Sequence, residues 1–241
     1  MSERGMIEKI AGKAMALGYE YAGISDHTKA LGIERGLNEK ELAEQASEIR
    51  RINSEFKIKN LKFKILQGCE ANILKDGSID INDEALSKLD FVIAGAHSFL
   101  AMPKKEMTER IIKAMLNPHV DIIAHPTNRV IGHRGESKID FGMLLKAARE
   151  TGTVLEVNAN PARLDLKATN IKKALKSNGS GKKVKMVIGT DAHQINQMDF
   201  MEFGVKEARK GGTEKNDVVN TMKLKEVIEF FRKPKEERFE S

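Results

Sequence analysis

Hydrophobic positions along this chain alternate between two periods. Apolar residues three and four positions apart predict amphipathic helices at 5–17, 38–56, 104–116, 140–150, 166–177, 196–210 and 223–232. Short runs rich in Val, Ile and Leu predict buried strands at 19–25, 61–68, 89–97, 120–126, 153–160 and 184–193. Asn38, followed three residues later by Glu41, predicts a capping box at the start of the second helix.

The repeated order of strand and helix is typical of parallel strands buried on both faces. Such a sequence folds either as a barrel or as a doubly wound sheet. The chain has no repeat of fixed period and no low-complexity linker, so we expect one domain over 1–241. The stretch SNGSGKK at 177–183 predicts a loop between a helix and a strand.

Polar residues cluster where the predicted strands end. They are Asp26, His27, Glu70, His97, His125, Asn158, Asn160, Asp191 and His193. In parallel α/β folds these strand ends meet at one rim, where functional residues collect. A single histidine there is most often a packing or capping residue, but four with two carboxylates indicate a site for zinc, manganese or iron.

Other chemistries lack their motifs. The sequence contains no G-x-S-x-G and no G-x-x-x-x-G-K-[ST], and the single Cys69 has no histidine beside it in sequence. These observations disfavour a nucleophilic triad and a P-loop nucleotidase. Metal-assisted hydrolysis remains, since divalent ions activate water and neutralise phosphoryl oxygens.

The composition indicates what kind of protein carries this chemistry and in which compartment. The 241 residues are 40% hydrophobic and 32% charged, which is ordinary for a soluble protein. No apolar run approaches 18 residues, so no membrane span is predicted. The first residues lack a signal peptide's apolar core, and a lone cysteine cannot form an internal disulfide, so we expect a cytoplasmic location.

The net charge of +6 is uneven. Between Pro161 and Lys185 there are eight Lys or Arg residues and one acid, Asp165. Such a segment attracts phosphates. The charge pattern alone favours a plainer interpretation, a solvated helix face followed by a loop.

Six segments together carry a family resemblance: GYEYAGISDHTKAL, LQGCEANIL, FVIAGAHS, VDIIAHPTNRVIGHR, LEVNANPARLDL and GTDAHQINQMDFMEFGVKEARKG. In order and spacing they resemble the PHP (polymerase and histidinol phosphatase) domain, especially the one that ends bacterial and archaeal family X DNA polymerases. The resemblance implies a distorted, TIM-like seven-stranded β/α barrel with up to three metal ions in a rim cleft. It also implies phosphoesterase activity, in this branch a manganese-dependent 3′–5′ exonuclease.

The resemblance also implies a ligand set, matched residue by residue. One ion would take Glu70, His97 and His125, and Glu70 would bridge to a second ion that takes Asp191. A third ion would take His27 and His193. The implied catalytic residues are Glu70, Asp191 and His193, with one to three Mn, Zn or Fe ions per chain.

The sequence departs from the family at its beginning. Family members open with a strand that carries H-x-H, and no H-x-H occurs in the 241 residues. We therefore expect a barrel without its first strand, fewer metal ligands and impaired activity. Asp26 and His133 are candidates for replacement ligands, although Asp26 fits a capping role better. The two strands beside the gap would recruit a second copy of the chain or be covered by a terminal segment.

The predicted substrate is a DNA end. Arg129, Asn160 and Arg163 are candidate phosphate or sugar contacts, because arginine binds phosphate through two parallel hydrogen bonds; their alternative role is to brace loops. Two other functions stay open: a non-catalytic DNA-binding or scaffold module, and a small-molecule phosphatase of the histidinol-phosphate type.

Overall fold

The computed structural model describes residues 5–31, 35–176 and 183–239. Six parallel strands pair in chain order: β1 (Tyr21–His27), β2 (Lys64–Asn72), β3 (Phe91–Gly95), β4 (Ile122–Ile123), β5 (Val154–Asn158) and β6 (Met186–Gly189). Within the described ranges β1 and β6 form the two edges of this curled sheet and do not pair with each other. The structure thus confirms the predicted TIM-like α/β barrel that lacks one strand.

Eight α-helices accompany the strands in the described residues. They are α1 (Met6–Ala16), α2 (Glu39–Ile58), α3 (Asp83–Leu86), α4 (Lys104–Leu116), α5 (Phe141–Thr151), α6 (Ala168–Lys176), α7 (Met201–Gly211) and α8 (Leu224–Arg232). The predicted capping box of α2 is present, since Asn38 accepts from Glu41 N and Glu41 accepts from Asn38 N. None of the described helices is long and apolar enough to cross a membrane.

Three apolar clusters hold the layers together. One fills the barrel interior, where Leu66, Phe91 and Val154 meet Phe230 of α8 and Phe239 near the C-terminus. A second joins α1 and α2 to the outer face of β1 and β2, and the largest lies under the helices that follow. Because the C-terminal segment closes the lower barrel, the polar cleft can lie only at the carboxyl ends of the strands.

Two predicted elements differ from the structure. The strand predicted at 120–126 is only Ile122–Ile123, because His125 has a positive φ of 27° and turns the chain out of the extended form. The helix predicted at 196–210 is a 3₁₀ turn over Ile195–Phe200 followed by α7, since regular burial begins only within α7. Most of the loop predicted at 177–183 lies outside the described residues.

The free edge of β6 is partly covered by a later segment. Val218 forms a parallel bridge with Met186, and the Asn220 side chain exchanges hydrogen bonds with both backbone groups of Ile188, at 3.0 and 2.9 Å. On the β1 side, the Tyr21 hydroxyl donates to the Met222 carbonyl at 3.0 Å. Residues 218–222 therefore fill the lower part of the gap between β1 and β6.

Candidate metal centre

Glu70 of β2 is the hub of the cleft. Its Oε1 lies 3.0 Å from His97 Nε2 and 3.1 Å from His125 Nε2. The three residues come from the ends of adjacent strands, so the parallel register brings them together. His125 and Glu70 are both buried, so their contact is shielded from water.

His97 is oriented by a buried polar network. Its Nδ1 donates to Asn72 Oδ1 at 2.8 Å, and Asn72 Nδ2 donates to Thr28 O and to Asp80 Oδ2. Asp80 also accepts from Thr28 Oγ1 and from the Ala30 and Asn72 amides. Because the Asn72 amide orientation is fixed in this way, Asn72 Oδ1 holds His97 Nδ1 and directs His97 Nε2 at Glu70.

His27 adds a further imidazole. Its Nδ1 is buried and has no hydrogen-bond partner among the described residues; Glu70 Oε2 lies 3.9 Å away, too far for a hydrogen bond. Its ring centroid lies 5.0 Å from that of His97 and 5.9 Å from that of His193. Burial lowers the pKa of His27, although the attraction of Glu70 opposes this shift. The lowered pKa favours the neutral imidazole.

Contacts within the cluster shift the pKa values of Glu70 and His125 in opposite directions. Burial alone would raise the pKa of Glu70, but hydrogen bonds from His125 and His97 hold it well below its usual range. Burial would lower the pKa of His125, and the contacts with Glu70 instead raise it to about 9. A positive charge, whether a proton or a cation, is therefore stabilised between these groups.

Asp191 and His193 follow β6 on the far side of His27. Asp191 has a positive φ of 49°, and its Oδ2 accepts from Asn158 Nδ2 at 3.1 Å. His193 Nδ1 hydrogen-bonds the Asp191 carbonyl at 3.0 Å, and its side chain is half exposed. The pair thus borders the cleft without a direct contact to Glu70.

Glu156 of β5 belongs to the cleft, although it lies inside a strand and not among the polar residues at the strand ends. It accepts from His125 N at 2.6 Å, and burial raises its pKa to about 8 against the attraction of His125. A Cβ on Gly189 would overlap Glu156 Oε1, so the neighbouring glycine makes room for this carboxylate. The only sequence signal was a glutamate within the apolar run VLEVN.

Two proposed replacement ligands lie elsewhere. Asp26 points to the outer side of β1, where it accepts from the side chain of Gln45 within α2 and not from a helix end. His133 is exposed in the turn that follows β4. Within the described residues, neither side chain makes a hydrogen bond or ion pair with Glu70.

The three substrate candidates have different surroundings. Arg129 donates to the carbonyls of Arg163 and Leu164, so it braces the loop after β5. Asn160 Oδ1 accepts from Ala162 N within the same loop. Arg163 faces the cleft, with Nε 3.4 Å from Asp191 Oδ2 and a buried Nη1 that has no hydrogen-bond partner among the described residues.

The donor set fits a divalent ion. Donor atoms of His27, Glu70 and His97 all lie within 4.8 Å of one another, and His125 joins this group through Glu70. Neutral imidazoles and an ionised carboxylate are the ligands that zinc and similar ions prefer. His27 Nδ1, buried without a hydrogen-bond partner among the described residues, supplies an independent sign that a cation belongs here. The expected grouping of Glu70, His97 and His125 around one ion stays a prediction.

A curled α/β barrel with imidazoles and carboxylates at its strand ends defines a class, the metal-binding hydrolases of the TIM-like type. The chain is 44% identical over 227 residues to the DNA polymerase/3′-5′ exonuclease PolX of Bacillus subtilis. The aligned region covers 94% of this chain and 38% of that protein. It is 34% identical over 176 residues to a probable phosphatase of Thermoanaerobacter sp., with 68% of each chain covered. The chain belongs to the PHP family, a family of phosphoester hydrolases.

The fold agrees with this membership. A crystal structure of histidinol phosphate phosphatase from Lactococcus lactis, complexed with zinc, L-histidinol and phosphate, superposes with a TM-score of 0.58 at 18% identity. The superposition covers 86% of this chain and 88% of that one. No family model matches the chain. The chain spans about two fifths of the length of the PolX relative.

Proposed function

We propose that this chain is a metal-dependent phosphoesterase that trims DNA ends. One observation carries the proposal: beside Asp191, at the edge of the histidine and carboxylate cluster, Arg163 presents a buried Nη1 that no described residue hydrogen-bonds. A guanidinium hydrogen left unpaired in a cleft is suited to a phosphoryl oxygen. The match to the PolX exonuclease over 94% of the chain supports DNA as the source of that phosphate.

A second guanidinium strengthens the case for an anion site. Arg134 Nε donates to the Asn128 carbonyl at 2.9 Å. Burial lowers the pKa of Arg134, and the charge of Arg163 lowers it further, so the two cations are neighbours. Like charges held together repel, and a bound phosphate would relieve that repulsion.

The residues of the cleft would have different roles: some would bind the metal ion, and others would bind the phosphoryl group or hold the loops. Glu70, His27, His97 and His125 would hold a divalent ion, with Asp191 and His193 completing or extending the set. When bound, such an ion activates water and neutralises charge on phosphoryl oxygens. Arg163 would bind and orient the phosphoryl group, while Arg129 and Asn160 keep its loop in place. Glu156 would hold His125 through its backbone amide.

The ligand set also limits the expected rate. The 241 residues contain no H-x-H, so two imidazoles of the family pattern are missing here. We therefore propose slow turnover that needs a millimolar concentration of manganese or a similar ion. On sequence grounds alone we also propose a single domain that works in the cytoplasm.

A small phosphorylated molecule is the second candidate substrate. It is favoured by the probable phosphatase of Thermoanaerobacter sp. and by the fold shared with histidinol phosphate phosphatase. Hydrolysis of a single-stranded oligonucleotide and of histidinol phosphate, each with manganese, would separate the two. Nucleotide release without loss of histidinol phosphate supports DNA, and the reverse supports the small molecule. Inactivity on both would favour a DNA-binding or scaffold role.

Arg163 can be tested on its own. Arg163→Lys keeps the charge but loses the planar fork, so we expect a higher KM for DNA. Lys172→Ala, which removes a cation on α6 away from the cleft, is the matched control and should behave like wild type. A higher KM in Lys172→Ala with no change in Arg163→Lys would mean that general positive charge, and not the Arg163 fork, binds the phosphate.

A further inference from the structure

An exposed aromatic residue, Phe99, lies two positions after His97 in the loop that follows β3. Phe99 is 57% exposed, and it is the one phenylalanine more than half exposed among the residues that the structure describes. It follows His97 by two residues, so its Cα lies within about 7 Å of the His97 Cα. Because burying a phenylalanine side chain is favourable, a ligand that covered this ring would gain binding energy from it.

The loop that carries Phe99 is held rigidly. Arg110 of α4 is buried, and its Nη1 donates to the Ser98 carbonyl at 2.8 Å. The same guanidinium donates to the carbonyls of Ile73 and Leu74, which joins the loop after β2 to the loop after β3. Phe99 itself has a φ of 53°, a left-handed conformation that is unfavourable for a phenylalanine. The backbone that carries the exposed ring is therefore held in place by Arg110.

A cation lies over this ring. Lys75 Nζ is 5.5 Å from the Phe99 ring centroid, and Lys75 is itself exposed. An aromatic platform beside a positive charge is the usual combination for single-stranded nucleic acid, because bases stack on the ring while the cation attracts the backbone. Histidinol phosphate offers an imidazole to the ring but has only one phosphate, so with that phosphate at the metal centre it leaves none for Lys75, whereas a DNA strand supplies both a base and a neighbouring phosphate.

We propose that Phe99 and Lys75 form a stacking subsite for a base at the end of single-stranded DNA whose phosphate lies at the metal centre. This inference rests on the proposed function and specifies its substrate class. The base would stack on the exposed ring, and Lys75 would attract a neighbouring phosphate. The subsite would read the presence of a base but not its identity, because every base has a planar face.

The test uses two labelled oligonucleotides, one with an ordinary 3′ nucleotide and one with an abasic tetrahydrofuran at that position. Binding is measured by fluorescence anisotropy in EDTA, and nucleotide release by KM and kcat in manganese. We expect Phe99→Leu to raise Kd and KM for the ordinary end by about tenfold. The same substitution should leave the abasic end unchanged, and Phe99→Trp should retain wild-type values for both ends.

Ile58→Ala is the matched control, since Ile58 is 81% exposed at the far end of α2 and should change neither constant. If wild type binds and trims DNA but Phe99→Leu equals wild type on the ordinary end, the subsite is refuted and the proposed function stands. If wild type neither binds nor trims DNA, both are refuted.

Discussion

Asn72 uses both ends of its amide: Oδ1 accepts from His97, and Nδ2 donates to Thr28 and Asp80. The carboxylate of Asp80 is thereby connected to an imidazole of the cluster without touching it. Partners of this kind fix the ring orientation and the tautomer of a metal-binding histidine. At the scale of single residues, the geometry of the metal centre depends on groups outside the ligand set.

Asn72→Ala should therefore weaken zinc binding by ~10–100-fold, because His97 loses the acceptor that fixes its tautomer. Isothermal titration calorimetry measures the change. Asn53→Ala is the control, since Asn53 makes a comparable pair of hydrogen bonds to Ile65 on the same strand but away from the cleft. Equal losses of zinc affinity in both variants would show that stability alone, and not the orientation of His97, is responsible.

Gly189 offers a test of Glu156. A methyl group at this position overlaps Glu156 Oε1, so Gly189→Ala should destabilise the fold by ~1–3 kcal/mol. Gly12→Ala, in the interior of α1 with nothing near its added Cβ, should instead stabilise it by ~0.5–1 kcal/mol. Urea unfolding compares the two, and a neutral Gly189→Ala would mean that Glu156 moves freely.

At the scale of elements, the end of α4 is closed by a buried lysine. Lys235 Nζ donates to the carbonyls of Met115 and Asn117 at 2.7 and 3.0 Å. Burial lowers the pKa of Lys235 to about 8, against the attraction of Asp121. The helix end is therefore capped by a group whose charge the fold disfavours.

A pH dependence follows from this pKa. Between pH 8 and 10.5 the unfolded chain keeps the Lys235 proton while the folded chain releases it, so the free energy of unfolding rises with pH. Relative to Lys235→Met, wild type should gain up to about 3 kcal/mol across this window. Urea unfolding at several pH values checks it, and a difference that is flat or falls with pH would contradict the assignment.

The sequence predicted the strands and most helices well, because buried apolar runs and helical periodicity are local signals. It also placed Glu70, His97 and His125 at one rim, since parallel strand ends converge. It could not reveal Asp80 or Glu156 as part of the site. Their roles depend on contacts between residues eight to 31 positions apart and on which face of a strand each side chain occupies.

At the scale of the whole molecule, the barrel is open on one side. Residues 218–222 fill the lower part of the gap between β1 and β6, and Gly23 in the middle of β1 remains exposed. Free strand edges tend to acquire a partner strand. Association of two copies through this edge stays a prediction, and sedimentation equilibrium would test it: a dimer supports it, and a monomer at all concentrations contradicts it.

Nucleotide release from a single-stranded oligonucleotide in millimolar manganese tests the central claim most directly. Wild type should release terminal nucleotides slowly, and Glu70→Ala combined with Asp191→Ala should abolish the release, because the hub of the cluster and its neighbouring carboxylate are lost. Rapid release with magnesium alone would contradict the account. Release that persists unchanged in the double variant would also contradict it, because the chemistry would then lie outside this cleft.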